Sequence, residues 1–216
     1  EFEPIDSWEE EEYTEPQLGD GGDGGGIVLN NCPWGERALS VVTELLLRID
    51  GELRLYGFRA SPRGYIYVRL DKLTHQYGCP SIEEIESFCR IYKEKVDEMS
   101  SQGLLPDDLA LEVSSPGADR LLRVPDDLLR FRAMPMTVKY FDTSHDSSSS
   151  SSSSHKEGVY FLDSIDAESR RCVWKLADVR ENRDPSARGR PLSRKQREIE
   201  LPIPYHMIKQ VTLYIT

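Results

Sequence analysis

The 216-residue sequence predicts an α+β fold: an N-terminal three-stranded sheet with two helices, followed by a small SH3-like or Sm-like β-barrel. Three observations predict it. Hydrophobic periodicity runs helix, hairpin, helix, strand up to residue 113, the pattern of a sheet with helices on one face. Several short strand patterns then crowd into about 80 residues, as in small barrels. The length itself accommodates one ordinary domain or two small ones.

Each element has a local cause. Leu39, Val42, Leu45, Leu46 and Ile49 recur at three- and four-residue steps, so a first helix is expected to end at Gly51. Runs at 53–60 and 65–70 flank Ser61-Pro62-Arg63-Gly64, whose proline and glycine form turns. Ile66, Val68 and Leu70 alternate with Tyr65, Tyr67 and Arg69, which makes the hairpin half-buried. Ser81 and Glu84 spell a capping box that opens a second helix. Its stripe is Ile82, Ile85, Phe88, Tyr92, Val96 and Met99, and Gly103 and Pro106 end it. A strand at 109–113 and a short helix capped by Asp126 follow. Strands at 136–141, 158–165, 171–176, 199–203 and 211–215 complete the chain, with turns at 166–169 and 204–207.

The chain carries 38 acidic and 27 basic side chains, a net charge of -11, but the charge is unevenly placed. Residues 1–31 hold ten acids and no Lys or Arg, whereas residues 130–216 hold 11 acids and 15 bases. The C-terminal part is net basic, so the acidic total does not argue against a nucleic-acid partner. Residues 1–33 combine an acidic run with a glycine-rich run and are expected to form a disordered acidic arm. A serine tract marks a flexible insertion at 144–156 inside a hairpin. Between and after these lie an α+β domain at 34–115, a hinge with its short helix at 116–132 and a barrel at 133–216.

Several chemistries find no support. No apolar run approaches the roughly 18–20 residues needed to cross a bilayer, so no membrane partner is expected. Cys32, Cys79, Cys89 and Cys172 form no C-x-x-C pair, which speaks against a zinc site or a disulfide framework and for a reducing compartment. Gly19-x-Gly21-x-x-Gly24 matches a dinucleotide fingerprint, yet an acidic run precedes it, Asp20 and Asp23 would repel a phosphate, and no helix begins beside it. His75, His145, His155 and His206 lack spaced partners, so a hydrolase would require Ser114 or Ser115 to meet a histidine from elsewhere in the fold. No catalytic residue, metal ligand or cofactor is assigned.

Two segments remain as binding candidates. In Leu111-Glu112-Val113-Ser114-Ser115-Pro116-Gly117-Ala118-Asp119-Arg120 a strand runs into two hydroxyls, a Pro-Gly turn and an ion pair. The turn holds one backbone shape and presents Ser114, Ser115, Gly117, Asp119 and Arg120 to a partner, unless it is an interdomain hinge that Asp119 and Arg120 merely cap. The loop at 180–197 carries Arg180, Arg183, Arg188, Arg190, Arg194, Lys195 and Arg197 against Glu181 and Asp184. Such a loop either tracks an RNA backbone by releasing counterions or is a solvated insertion, and Arg170, Arg171 and Lys175 would extend its footprint.

The stretch at 111–120 strongly resembles the signature of the RimP family of ribosome maturation factors. Asp127-Leu128-Leu129-Arg130-Phe131 is similar to that family's short Asp-x-x-Arg-Phe helix, and Ile203-Pro204 followed by Ile208 continues the likeness. Leu122 stands where a proline is usual, and Ala118 where a leucine is usual. The resemblance implies a non-enzymatic, monomeric factor that binds the immature small ribosomal subunit and assists its assembly. Its implied partners are small-subunit rRNA and a ribosomal protein of the decoding region. The additions to the compact pattern, and a first residue other than Met, suggest a plastid-type relative in the chloroplast stroma, with a bacterial-type cytoplasm as the alternative. A general Sm-like RNA-binding module without a ribosomal role is the competing reading.

Overall fold

Strong alternation in the first hairpin builds the centre of the N-terminal sheet. The computed structural model describes residues 15–49, 51–117, 119–141, 155–184 and 189–215. Strands β1 (Gly26–Val28), β2 (Leu53–Ser61), β3 (Tyr65–Lys72) and β4 (Ala110–Ser114) lie in the order β1-β2-β3-β4. β2 and β3 are antiparallel, whereas β1 pairs with β2 and β4 with β3 in parallel. Helices α1 (Gly35–Arg48) and α2 (Ile82–Ser101) cover one face, where Val42, Phe58, Ile66, Val68, Phe88 and Tyr92 form the core. The Tyr92 hydroxyl donates to the Ala38 carbonyl at 3.0 Å and so locks the two helices together. The capping box is present: the Glu84 amide donates to Ser81 Oγ at 3.2 Å, and the Ser81 amide donates to Glu84 Oε2 at 2.7 Å.

The fourth strand comes from the segment expected to be disordered. Composition alone misjudged it, because its glycines serve close packing rather than freedom. A Cβ on Gly21 would fall 2.7 Å from the Phe58 carbonyl oxygen, and one on Gly57 would fall 2.8 Å from the Gly21 carbonyl oxygen. The loop closes on Asp20, whose Oδ1 accepts from the Gly22 and Gly24 amides at 2.7 and 2.9 Å. That carboxylate takes the backbone donors a phosphate would need, so the glycine pattern here makes a structural turn. Residues 1–14 of the arm lie outside the described residues.

The second sheet contains β5 (Met136–Phe141), β6 (His155–Asp166), β7 (Arg171–Leu176), β8 (Glu200–Pro204) and β9 (Ile208–Leu213), all antiparallel, in the order β8-β7-β6-β5-β9. Its core centres on Trp174, Met136, Val138, Leu162 and Val211, with Leu128 and Phe131 from the connecting segment. Among the described residues no ladder joins β8 to β9, so the pairing is that of an open five-stranded sheet. The serine insertion belongs to the β5–β6 hairpin, since Phe141 pairs with His155; residues 142–154 lie outside the described residues, while His155 and Lys156 belong to β6.

Two further expectations change. The helix expected after Asp126 is a run of turns over 124–133. Amides of Leu128, Phe131 and Met134 donate three residues back to Pro125, Leu128 and Phe131, and the Asp127 carboxylate, not Asp126, gathers the amide and guanidinium of Arg123. The 180–197 loop is also partly built: 180–182 form a 3-10 turn, and α3 (Arg194–Arg197) is opened by Ser193 and Gln196 in a second capping box.

Candidate functional site

The 111–120 motif sits where the two sheets meet, and its arginine points inward. β4 delivers Ser114 and Ser115, the Pro116-Gly117 turn reverses the chain, and Arg120 enters the interior with 3% of its surface exposed. Its Nη1 and Nη2 donate to Asp71 Oδ1 and Oδ2 at 2.8 and 3.0 Å. Arg130 meets the same carboxylate, with Nη1 to Oδ2 at 2.5 Å and Nη2 to Oδ1 at 3.1 Å, and also donates to the Lys72 carbonyl at 2.8 Å. Burial alone would raise the Asp71 carboxyl, but hydrogen bonds from Arg120 and Arg130 outweigh it and hold the group below its ordinary range.

Aromatic rings enclose this clamp. The Arg120 guanidinium lies 4.6 Å from the Tyr56 ring centroid and 5.1 Å from that of Phe131, while Arg130 lies 4.8 Å from Phe131. Gly78 backs it: at φ +76 it approaches so closely that a Cβ would fall 2.3 Å from Asp71 Oδ1 and 2.4 Å from Arg120 Nη1. Among the described residues, Arg120 Nε is buried without a hydrogen-bond acceptor.

The backbone beyond Arg120 bonds to both halves in succession. The Leu121 amide donates to the Asp23 carbonyl at 2.9 Å, and the Leu122 amide donates to the Val211 carbonyl of β9 at 2.8 Å. A proline at 122 would lack that second donor. Asp23 Oδ1 accepts from the Gly117 amide at 3.2 Å, and the Tyr56 hydroxyl lies 2.7 and 2.9 Å from the Asp23 and Leu121 carbonyl oxygens. Burial pushes the Tyr56 phenol well above its usual value.

The expected partner contacts therefore divide. Arg120 is committed to Asp71, so a direct contact with a partner gives way to an internal clamp. Ser114 is half-buried, its hydroxyl donating to the Ser115 carbonyl at 3.1 Å, and Ser115 is half-buried beside it. Gly117 and Asp119 are exposed, and Asp119 borders a groove with Thr137, Lys139, Gln210 and Thr212. Ala118 lies outside the described residues. His75 Nδ1 accepts from the Tyr77 and Cys79 amides, an internal loop role.

In the basic loop, Arg183 is spent on architecture: its Nε donates to Asp178 Oδ1 at 2.9 Å, and Nη1 donates to the Gly189 carbonyl at 3.3 Å. The Leu192 amide also donates to Asp178, and with Arg183 it keeps that carboxyl below its usual range. Asn182 ties the turn to β6 through both the amide and the carbonyl of Val159, at 3.1 and 2.6 Å. Arg194 pairs with Glu198 at 2.7 Å, and Lys175 pairs with Asp163 at 2.6 Å. Arg180, Arg190, Lys195 and Arg197 are exposed on this framework, as are Arg170 and Arg171 at the β6–β7 turn; Arg188 lies outside the described residues.

Sequence reasoning did not single out Asp71, Tyr56, Gly78 or Asn182. Asp71 carried one signal: it is an acid directly after the buried Leu70 in a strand whose other outward residues are aromatic or basic.

A family described as a domain of unknown function (DUF7912) matches residues 121–214. The chain is 36% identical over 97 residues to the ribosome maturation factor RimP of Leptospira biflexa, covering 43% of this chain and 57% of that protein. It is 36% identical over 120 residues to RimP of Leptospira interrogans, covering 52% of this chain and 67% of that protein. The matched region thus spans little more than half the length of the first of these relatives.

Proposed function

Because the chain belongs to the RimP family of ribosome maturation factors, we propose that it binds the immature small ribosomal subunit and assists its assembly without covalent chemistry. The observation that carries this reading is the 111–120 signature, whose Arg120 welds the two sheets together through Asp71. A clamp of this kind holds two binding surfaces at one angle, which lowers the ordering cost of engaging a large partner with both at once. We read the second sheet as an SH3-like barrel on the support of its β8-β7-β6-β5-β9 order and the 3-10 turn Tyr205–Met207 between β8 and β9. Small-subunit rRNA is met by Arg180, Arg190, Lys195 and Arg197 with Arg170 and Arg171, and a ribosomal protein of the decoding region by the exposed side of the hinge. The factor acts as a monomer, in the chloroplast stroma or a bacterial-type cytoplasm.

Release needs no nucleotide hydrolysis. A tenfold preference for the immature over the mature particle corresponds to about 1.4 kcal/mol of differential affinity. The test is co-sedimentation of the full chain with immature and mature small subunits across a salt series. Binding to the immature particle is expected, and the variant Arg180→Glu, Arg190→Glu, Lys195→Glu, Arg197→Glu should bind more weakly with a flatter salt slope. Equal affinity for unrelated RNAs and for immature subunits would overturn the reading in favour of a general RNA-binding module.

A further inference from the structure

A cavity of about 690 Å³ opens at the junction, between the glycine-rich loop, β2 and the segment that follows Arg120. Sites for small organic ligands measure roughly 300–1,000 Å³, with mostly apolar walls and a few placed polar groups. Part of this cavity is apolar: Leu18, Ile27, Leu55 and Leu73 line it, and Leu18, Ile27 and Leu73 are exposed. The rest is charged, with four arginines against three aspartates.

Most of those charges are already spent. Asp71 is shared by Arg120 and Arg130, and Arg123 holds Asp127 at 3.0 Å. Arg54 and Asp126 are left over: both are exposed, and neither makes a hydrogen bond or ion pair among the described residues. Two guanidiniums on one carboxylate also leave the clamp with one positive charge in excess, and among the described residues Arg120 Nε has no acceptor. The cavity therefore offers a cation for an anionic group, a carboxylate for N–H donors and an apolar wall for the body that joins them. A nucleoside phosphate carries all three. The glycine-rich loop is not the seat of its phosphate, because Asp20 already occupies the Gly22 and Gly24 amides.

We propose that this cavity binds a nucleoside phosphate, with the phosphate on Arg54, the base against Leu55 and Leu73, and the N–H edge of the base on Asp126. Guanine suits the carboxylate, because its ring N–H and exocyclic amine lie side by side as the two carboxylate oxygens do. No bond of the nucleotide is broken. This binding goes beyond the assembly role and does not depend on it. An occupant touches the loop, the first sheet and the connecting segment together, so it stabilises the folded chain.

The test titrates the full chain, labelled at leucine and isoleucine methyls, with guanosine monophosphate. The Ile27, Leu55 and Leu73 signals should move and saturate, while those of the buried Ile66 and Leu162 stay in place. Arg54→Glu should weaken binding by about tenfold or more, the loss of one charge-assisted hydrogen bond. Asp126→Asn should erase the preference for guanosine over inosine monophosphate, which lacks the exocyclic amine. Both side chains are exposed, so both variants keep the fold. A phosphorylated trinucleotide beginning with guanosine separates two sources of the same chemistry: tighter binding than the mononucleotide assigns the site to an RNA end, weaker binding to the free nucleotide, and each supports the proposal. Silent methyl signals at millimolar nucleotide would overturn it, as would unchanged affinity in Arg54→Glu. Inorganic phosphate that reproduces the shifts at equal affinity would mean an adventitious ion only and also overturn it.

Discussion

Replacing Asp71 by alanine should damage this protein more than any substitution of similar size on its surface. The carboxylate accepts from Arg120 at 2.8 and 3.0 Å and from Arg130 at 2.5 and 3.1 Å. Without it, Arg120 remains almost fully buried, its Nε already lacks an acceptor among the described residues, and its charge is left beside the Tyr56 and Phe131 rings and the like charge of Arg130. Breaking a buried pair from one side costs about 3–5 kcal/mol, chiefly because an uncompensated charge stays inside. Arg130 is 24% exposed and can turn to water, so it adds little to that figure. With a urea m-value of about 2 kcal/mol/M, the unfolding midpoint should drop by about 2 M. Circular dichroism follows the whole chain, and the fluorescence of the fully buried Trp174 follows the second core once Trp8 and Trp34 are changed to Phe. The decisive comparison is the double variant Asp71→Leu, Arg120→Met, which leaves no buried charge and should recover most of the loss. A single variant unfolding within about 0.3 M of the wild type, less than 1 kcal/mol on that slope, would refute the reasoning, as would a double variant as unstable as the single one.

Three further outcomes follow from neighbouring geometry. Gly78→Ala places a methyl 2.3 Å from Asp71 Oδ1 at a positive φ, and should lower the thermal midpoint by several degrees in a scanning calorimeter. The lowered Asp71 carboxyl contributes stability that is complete above the unfolded-chain value of about 4 and is lost as pH falls through its lower folded value. Urea midpoints measured between pH 5 and pH 2 should therefore fall with a shallower slope in Asp71→Asn than in the wild type. Asp20→Ala removes the acceptor of the Gly22 and Gly24 amides and should cost about 1–3 kcal/mol; faster hydrogen exchange of the Ile27 and Val28 amides would report the loosened β1.

What the sequence made legible was whatever rests on short-range periodicity. The capping box at Ser81 and Glu84, the β2–β3 hairpin and the limits of β5 and β7 all come from local chemistry and stand as read. The first helix shows where that logic thins. Its stripe was right at Val42 and Leu45, but Ala38 and Val41 are buried while Leu39 and Leu46 are only partly so, because the angle of the helix on the sheet decides the rest. The glycine-rich arm failed for a different reason. Composition scales count glycine as disorder, whereas here the missing side chains let the Gly21 and Gly57 backbones meet, a contact between positions 36 residues apart in the chain. The clamp was invisible for the same reason: Asp71 and Arg120 are separated by 49 residues, and only the parallel pairing of β3 with β4 brings the motif back to it.

That geometry also changes what the motif can do. A hinge in the ordinary sense lets two bodies swing, but consecutive amides at Leu121 and Leu122 are tied in opposite directions, one to the arm and one to β9. Asp23 adds bonds to Gly117 and Tyr56, so swinging would break several hydrogen bonds and open the buried ion pair together. Those losses fall in one cooperative step rather than along a soft coordinate, so the junction behaves as a corner held at a single angle. Adjacent residues then have separate duties. Arg120 sets the angle from inside, whereas Asp119 lies exposed beside Thr137, Lys139, Gln210 and Thr212. Substituting Arg120 therefore changes the geometry of the junction before anything else.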